Sequence, residues 1–134
     1  MRAVRNRRVK STELSLRARL AAAGIRGWHM YGCELPGKPD FVFPAARLAI
    51  FVDGCFWHGC PRCYRRPHSS QDYWDQKVRT NQSRDLRITH KLRRAGWAVR
   101  RIWEHDLRGR TDATSEIATT LIRRLCKFYR GKRI

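Results

Sequence analysis

Residues 47–64 read RLAIFVDGCFWHGCPRCY. The first eight, RLAIFVDG, form a mostly apolar run of strand length, the profile of a strand covered on both faces inside a sheet. Behind it come Cys55, Cys60 and Cys63, a C-x4-C-x2-C cluster. Thiolates at the second spacing can grip one metal ion from a tight turn. Three sulfurs leave a tetrahedral zinc site open, so a fourth ligand is needed, and His58, His68, His105, Cys33 and Cys126 are the candidates. His105 follows the strand-like WAVRRIW, a rigid place from which to return to the cluster. Cys126 falls in a helical stretch, where a buried cysteine packs as a small hydrophobe, and Cys33 precedes a turn. The bland alternative is three unmetallated thiols in a flexible loop. A closed Cys3His zinc site is the reading adopted, because a loop this long and polar needs something to order it.

Outward from this stretch the elements alternate. STELSLRARLAAAG predicts a first helix, with Ser11 or Thr12 as N-cap and Gly24 as its stop. WHMYGCE (28–34) and DFVFP (40–44) read as short strands around the turn LPGKP. A long helix is expected from Gln71 to Ala95, then a strand over WAVRRIW (97–103) and a last helix over 114–129, capped by Thr114 or Ser115. Helix, three strands, long helix, strand, helix predicts an α/β fold: a mixed central sheet flanked by helices. The 134 residues suit a single domain, 1–134, preceded only by a basic arm over 1–11.

Charge narrows the function. Thirty Lys and Arg against eleven Asp and Glu give a net charge of +19 and a pI near 11.2. Such a field attracts polyanions, and each phosphate neutralised releases condensed counterions. A ribosomal-type RNA binder or a protein held on acidic lipid shares that charge; the arginine distribution favours nucleic acid. A hydrophobic fraction of 42% argues against a disordered tail, despite a mean hydropathy of −0.66. No run is apolar enough to span a membrane, and MRAVRNRRVKS lacks a signal peptide's apolar core, so a cytoplasmic location is expected. Five cysteines, clustered and odd in number, suit metal binding in a reducing compartment better than disulfides.

Asp40 opens one predicted strand and Asp53 closes the next. Carboxylates at the ends of neighbouring strands can converge on a divalent ion such as Mg2+, although a lone Asp is more often a turn or capping residue. His58, held between Cys55 and Cys60, can take a proton from an attacking water, donate a structural hydrogen bond, or ligate zinc. Phe56 and Trp57 can stack on bases, wedge between base pairs, or cover the core, which is the commoner fate. Lys77, Asn81 and Asp85 lie four residues apart on one helix face, able to reach a nucleic acid or simply to form a solvated face.

Together, LPGKPDFVF, IFVDGCFWHGCP, YWDQKVRTNQSRD, GWAVRRIWEHDL and TELSLRARL resemble the very-short-patch repair (Vsr) endonucleases, from about Met1 to about Leu107. The resemblance implies a restriction-endonuclease-like fold with a structural zinc loop, and a nick 5′ of the thymine in a T:G mismatch left by 5-methylcytosine deamination. It implies Mg2+ on Asp40 and on the backbone carbonyl of Val52, with His58 as general base and auxiliary roles for Asp53 and Glu13. Phe56 and Trp57 would intercalate beside the mismatch. Lys77 and Asn81 would read it, and Met1 and Arg2 would approach from the other groove. The zinc set becomes Cys55, Cys60, Cys63 and His105. The family commonly has His near position 63 and Cys at that of His105, so Cys and His look exchanged, which zinc tolerates. Relatives often carry further residues ahead of the matching Met-Arg-Ala, so either the clamping arm is short or Met1 is not the true start. The implied partner is double-stranded DNA carrying a T:G pair, met by a monomer associated with a bacterial nucleoid, since one nick needs one active site. The rivals are a related nuclease that cuts undamaged DNA, and a zinc-stabilised DNA-binding module without catalysis.

Overall fold

The computed structural model describes residues 13–107 and 113–131. The basic arm, with Met1 and Arg2, and the cap candidates Ser11 and Thr12 lie outside them. Helix α1 covers 13–22 and ends as expected at Gly24, whose φ of +72° only glycine adopts freely. There the Gly24 N–H bonds the Ala21 carbonyl and the Ile25 N–H the Leu20 carbonyl, closing the helix with a Schellman turn.

The sheet has four strands in the order β1 (His29–Met30), β2 (Phe41–Phe43), β3 (Leu48–Asp53) and β4 (Ala98–Trp103). The first two pairings are antiparallel and β3–β4 is parallel, so the sheet is mixed as predicted. Between β3 and β4 the chain runs through the cysteine loop and helix α2 (Gln71–Arg94), the crossover that parallel neighbours require. A short 3-10 helix (Glu104–Leu107) and helix α3 (Ala113–Gly131) follow β4.

Most predicted elements hold to within a residue or two at their ends, but β1 is much shorter than the expected 28–34. Tyr31 takes a φ of +59°, which breaks the extended backbone immediately after Met30. The chain then turns back: Gly32 packs so closely that an added Cβ would lie 2.4 Å from a Val42 methyl. The 3-10 turn that carries His105 was likewise not anticipated.

Strand β3 is central, and its alternation divides the core. Leu48 and Ile50 join Leu16 and Leu20 of α1, Ile117 of α3, Phe41, Phe43 and Ile102 in one cluster. Ala49 and Phe51 face the other way and meet Leu92 of α2. Both faces are therefore covered, which is why RLAIFVDG carries so little polarity. No helix among the described residues is long and apolar enough to cross a membrane.

Candidate active site

Open sheets with parallel strands bind ligands beyond the strands' carboxyl ends, and the polar side chains gather there. Asp53 is the last residue of β3. Because β2 runs antiparallel with Phe41 opposite Ile50, Asp40 at the start of β2 comes to the same end, and its Oδ2 accepts the Val52 N–H at 2.7 Å. A cleft of about 470 Å3 opens here, lined among others by Lys38, Asp40, Asp53, Trp57, His58 and Asp85.

Burial raises the Asp40 carboxyl to about 7, opposed by the Val52 N–H and reinforced by a hydrogen bond and charge from Glu13 and by the charge of Asp53. Glu13 is itself buried. It also takes up the Tyr31 phenol, whose pKa is raised by that bond and by the nearby charge. Burial pushes Asp53 up as well, against the Arg101 and His58 charges. Hard carboxylate oxygens crowded in this way suit a divalent cation, which would relieve their repulsion.

His58 stands between two carboxylates. Its Nδ1 bonds Asp85 Oδ2 at 2.5 Å, and its Nε2 lies 4.0 Å from Asp53 Oδ1. The first contact is a strong charge-assisted bond and the second is too long to be one. Nδ1 thus donates to Asp85, and the Nε2 lone pair is left to take a proton. The sequence reading placed Asp85 on the right helix face without giving it this role. It missed Arg101 altogether. That guanidinium donates to both oxygens of Asp53, at 3.0 and 3.2 Å, and to the Asp85 main-chain carbonyl at 3.2 Å.

The loop that carries His58 is clamped onto α2. The Asn81 amide donates to the Trp57 carbonyl at 2.8 Å, and the Gln82 amide to the His58 carbonyl at 3.2 Å. Gly59, at φ +63°, lets the loop pass so close that a Cβ would meet a Val78 methyl at 2.7 Å. Asn81 is 5% exposed, so in this structure it faces the loop, while Lys77 is partly exposed on the same helix. Phe56 packs edge-on against Trp57 and Trp74, with Tyr64 beside it. Phe56 and Trp57 both stay partly exposed, neither sunk in the core nor fully bare.

The three cysteine-loop sulfurs converge on the His105 ring. His105 Nδ1 lies 3.4, 3.5 and 3.3 Å from the sulfurs of Cys55, Cys60 and Cys63, and all four donor atoms fall within 4.8 Å of one another. Zinc bonds of about 2.1–2.3 Å at tetrahedral angles would set neighbouring donors about 3.5–3.8 Å apart. The residues present fit that ion. The outward nitrogen of His105 meets Asp106 Oδ1 at 3.2 Å, and Asp106 is held in turn by the Trp103 N–H. A carboxylate behind a ligating histidine is the usual brace for such a ligand. His68, Cys33 and Cys126 stand outside the cluster, and both of those cysteines are exposed. Burial pushes the Cys55 thiol up to about 12, so without a cation it stays protonated.

An oriented imidazole and clustered carboxylates at the strand ends, beside a Cys3His cluster in a strongly basic chain, are groups that hydrolysis of a nucleic-acid phosphodiester could use. Comparison with known proteins gives the particular family. The family model described as DNA mismatch endonuclease Vsr matches residues 1–65. The DNA mismatch endonuclease Vsr of Escherichia coli is 37% identical over 121 residues, 89% of this chain and 76% of that one. The type II nicking enzyme V.XorIIP of Xanthomonas oryzae pv. oryzae is 40% identical over 109 residues, 80% of this chain and 78% of its own. The type II nicking enzyme V.NaeI of Lentzea aerocolonigenes is 45% identical over 84 residues, 63% of this chain, which spans about half (49%) of that relative's length. The chain belongs to the Vsr family of DNA endonucleases.

Proposed function

We propose that this protein nicks one strand of duplex DNA 5′ of the thymine in a T:G mismatch, by hydrolysis of the phosphodiester. The observation that carries the reading is one cleft that gathers Asp40, His58 and Trp57: a cation-binding carboxylate, a base and an aromatic wedge. His58 takes the proton of the attacking water at Nε2. Asp85 holds the imidazole through Nδ1 and stabilises the imidazolium that forms. Asp40 and the Val52 carbonyl would hold a Mg2+ ion, which supplies positive charge for the phosphorane and the leaving oxygen. Glu13 supports Asp40 from behind. Cys55, Cys60, Cys63 and His105 would hold a structural Zn2+, whose contribution is to fix the loop that presents Phe56, Trp57 and His58.

Opening a T:G pair costs less than opening a Watson–Crick pair, so part of the selectivity comes from deformability. Phe56 and Trp57 insert beside the mismatch, Lys77 and Asn81 reach it from α2, and Met1 and Arg2 would approach from the other groove. Asn81 then exchanges its bond to the Trp57 carbonyl for the DNA. One nick needs one such site, which suits a monomer acting on the chromosome in the bacterial cytoplasm.

The second reading is nicking or cutting at an undamaged site; the relatives named as type II nicking enzymes carry a nick in their names and no mismatch. A labelled duplex with one T:G pair, beside its matched counterpart, with Mg2+ and with EDTA, separates the two. A Mg2+-dependent nick in the T strand of the mismatched duplex alone bears out the proposal. Cutting of both duplexes replaces it with the second reading, and binding without cutting overturns catalysis altogether.

A further inference from the structure

Arg101 spends its guanidinium in three directions. Its Nη1 grips Asp53 at 3.0 and 3.2 Å and lies 3.6 Å from Asp85 Oδ1. Its Nη2 donates to the Asp85 carbonyl at 3.2 Å, and its Nε to Thr89 Oγ1 at 3.1 Å. Its guanidinium carbon lies 4.3 Å from the centre of the Phe51 ring. All three nitrogens are engaged and the side chain is 22% exposed. The parallel register makes this possible. Arg101 pairs with Phe51, so the two side chains share the α2 face with Asp53, two residues on.

We propose that Arg101 is a positioning residue for the nicking step: it ties Asp53 on β3 to Asp85 on α2 and so sets the imidazole of His58 between them. Two carboxylates aimed at one imidazole repel each other, and Asp85 sits on a helix that could draw away from the sheet. Arg101 supplies both the counter-charge and the tether. A lysine ammonium has charge but no flat fork to reach a carboxylate, a carbonyl and a hydroxyl at once. A direct hold on the scissile phosphate fits poorly, since each guanidinium nitrogen already bonds a group inside the protein. Lys38 and Arg84, exposed on the same cleft, are better placed for phosphate.

The proposal rests on the nicking reading above, so its test includes a measurement independent of substrate. Full-length wild type, Arg101→Leu and Arg101→Lys are compared after zinc content and cooperative melting show each to be folded. Arg101→Leu is expected to lower single-turnover nicking of the T:G duplex about 100-fold, within the range of a base that has lost its alignment. DNA affinity and its salt dependence should stay at the wild-type level. Arg101→Lys should recover less than about a tenth of the lost rate, since it restores charge without the fork. In imidazole 15N–1H NMR spectra the downfield His58 Nδ1 proton, bonded to Asp85, should be present in wild type and lost or strongly shifted in Arg101→Leu.

Nicking within about threefold of wild type, together with an unmoved His58 proton, overturns the proposal. So does a salt slope shallower by about one phosphate with the saturated rate intact, which would make Arg101 a phosphate contact. If wild type itself fails to nick the T:G duplex, the functional reading fails, and the His58 resonance still decides the positioning role: unmoved overturns it, lost supports it. Should Arg101→Leu not fold, Arg101→Lys decides on the same readouts, and a wild-type rate with a wild-type resonance overturns the proposal.

Discussion

Replacing Asp85 with Asn keeps an acceptor for the His58 Nδ1 proton and removes only the charge. The structure allows the loss to be sized. The Asp85 carboxylate and the imidazole meet at 2.5 Å between heavy atoms, which puts their charge centres about 4 Å apart once His58 is protonated. At an effective dielectric of about 20, unit charges at that distance attract by about 4 kcal/mol. Arg101 stands 3.6 Å from the other Asp85 oxygen and neutralises part of the charge, so about 2 kcal/mol of transition-state stabilisation is a fair share. At 1.36 kcal/mol per decade this is about a 30-fold slower nick for Asp85→Asn. Asp85→Ala also loses the acceptor and should fall about a further tenfold. The assay is single-turnover nicking of the T:G duplex at saturating enzyme, with affinity followed by anisotropy and expected within about twofold of wild type, since the Asp85 oxygens are directed at His58 and Arg101. In a His58→Ala background, Asp85→Asn should cost nothing more, because the two act as one unit. A single-mutant rate within about threefold of wild type, or a full additional loss in the double mutant, would refute His58 as a base oriented by Asp85.

Three further outcomes follow from the same geometry. The Asp40 carboxyl, raised to about 7 by burial and by Glu13, binds its proton more tightly in the folded than in the unfolded chain; its contribution to stability is full below about pH 4 and is lost as pH rises through about 7. In metal-free protein, Asp40→Asn should therefore stabilise at pH 8 by up to about 4 kcal/mol and hardly at pH 4, while abolishing nicking; an equal melting shift at both pH values would contradict this. Cys60→Ser should lower zinc from one equivalent to a small fraction, destabilise by at least about 3 kcal/mol and remove nicking even in excess Mg2+. Cobalt substitution, read through thiolate charge-transfer bands, tests the Cys3His set, and retention of one tightly bound zinc in the variant would count against it. Asn81→Ala leaves the Trp57 carbonyl without its buried donor and should cost about 1–3 kcal/mol in denaturant unfolding. A change under about 0.5 kcal/mol would mean that the clamp carries no weight.

Which parts of this molecule can be read from its sequence depends on how far apart the partners lie along the chain. The cysteine cluster was legible because Cys55, Cys60 and Cys63 declare their chemistry within nine residues, and β3 because burial on both faces leaves a nearly unbroken apolar run. Asp40 and Asp53 could be paired because a hairpin brings strand ends together at short range. The shortness of β1 could not be foreseen, since the turn at Tyr31 is held by Gly32 packing on Val42, a contact made only once β2 is in place. Asp85 lies 27 residues from His58, and Arg101 lies 48 from Asp53. Their roles depend on the register of a parallel pair and on where α2 lands on the sheet, neither of which leaves a local signature. Arg101 shows this most clearly. Its neighbour Arg100 reaches Thr120 of α3 on the opposite face, so two adjacent, chemically identical residues serve two different sides of the sheet. A slip of one residue between β3 and β4 would exchange them. Arg101 would turn into the α1–α3 core, and the carboxylates around His58 would face Arg100 in its place. The apolar contacts of Leu48, Ile50 and Ile102 forbid that slip, so the packing that stabilises the sheet also selects which arginine stands beside His58.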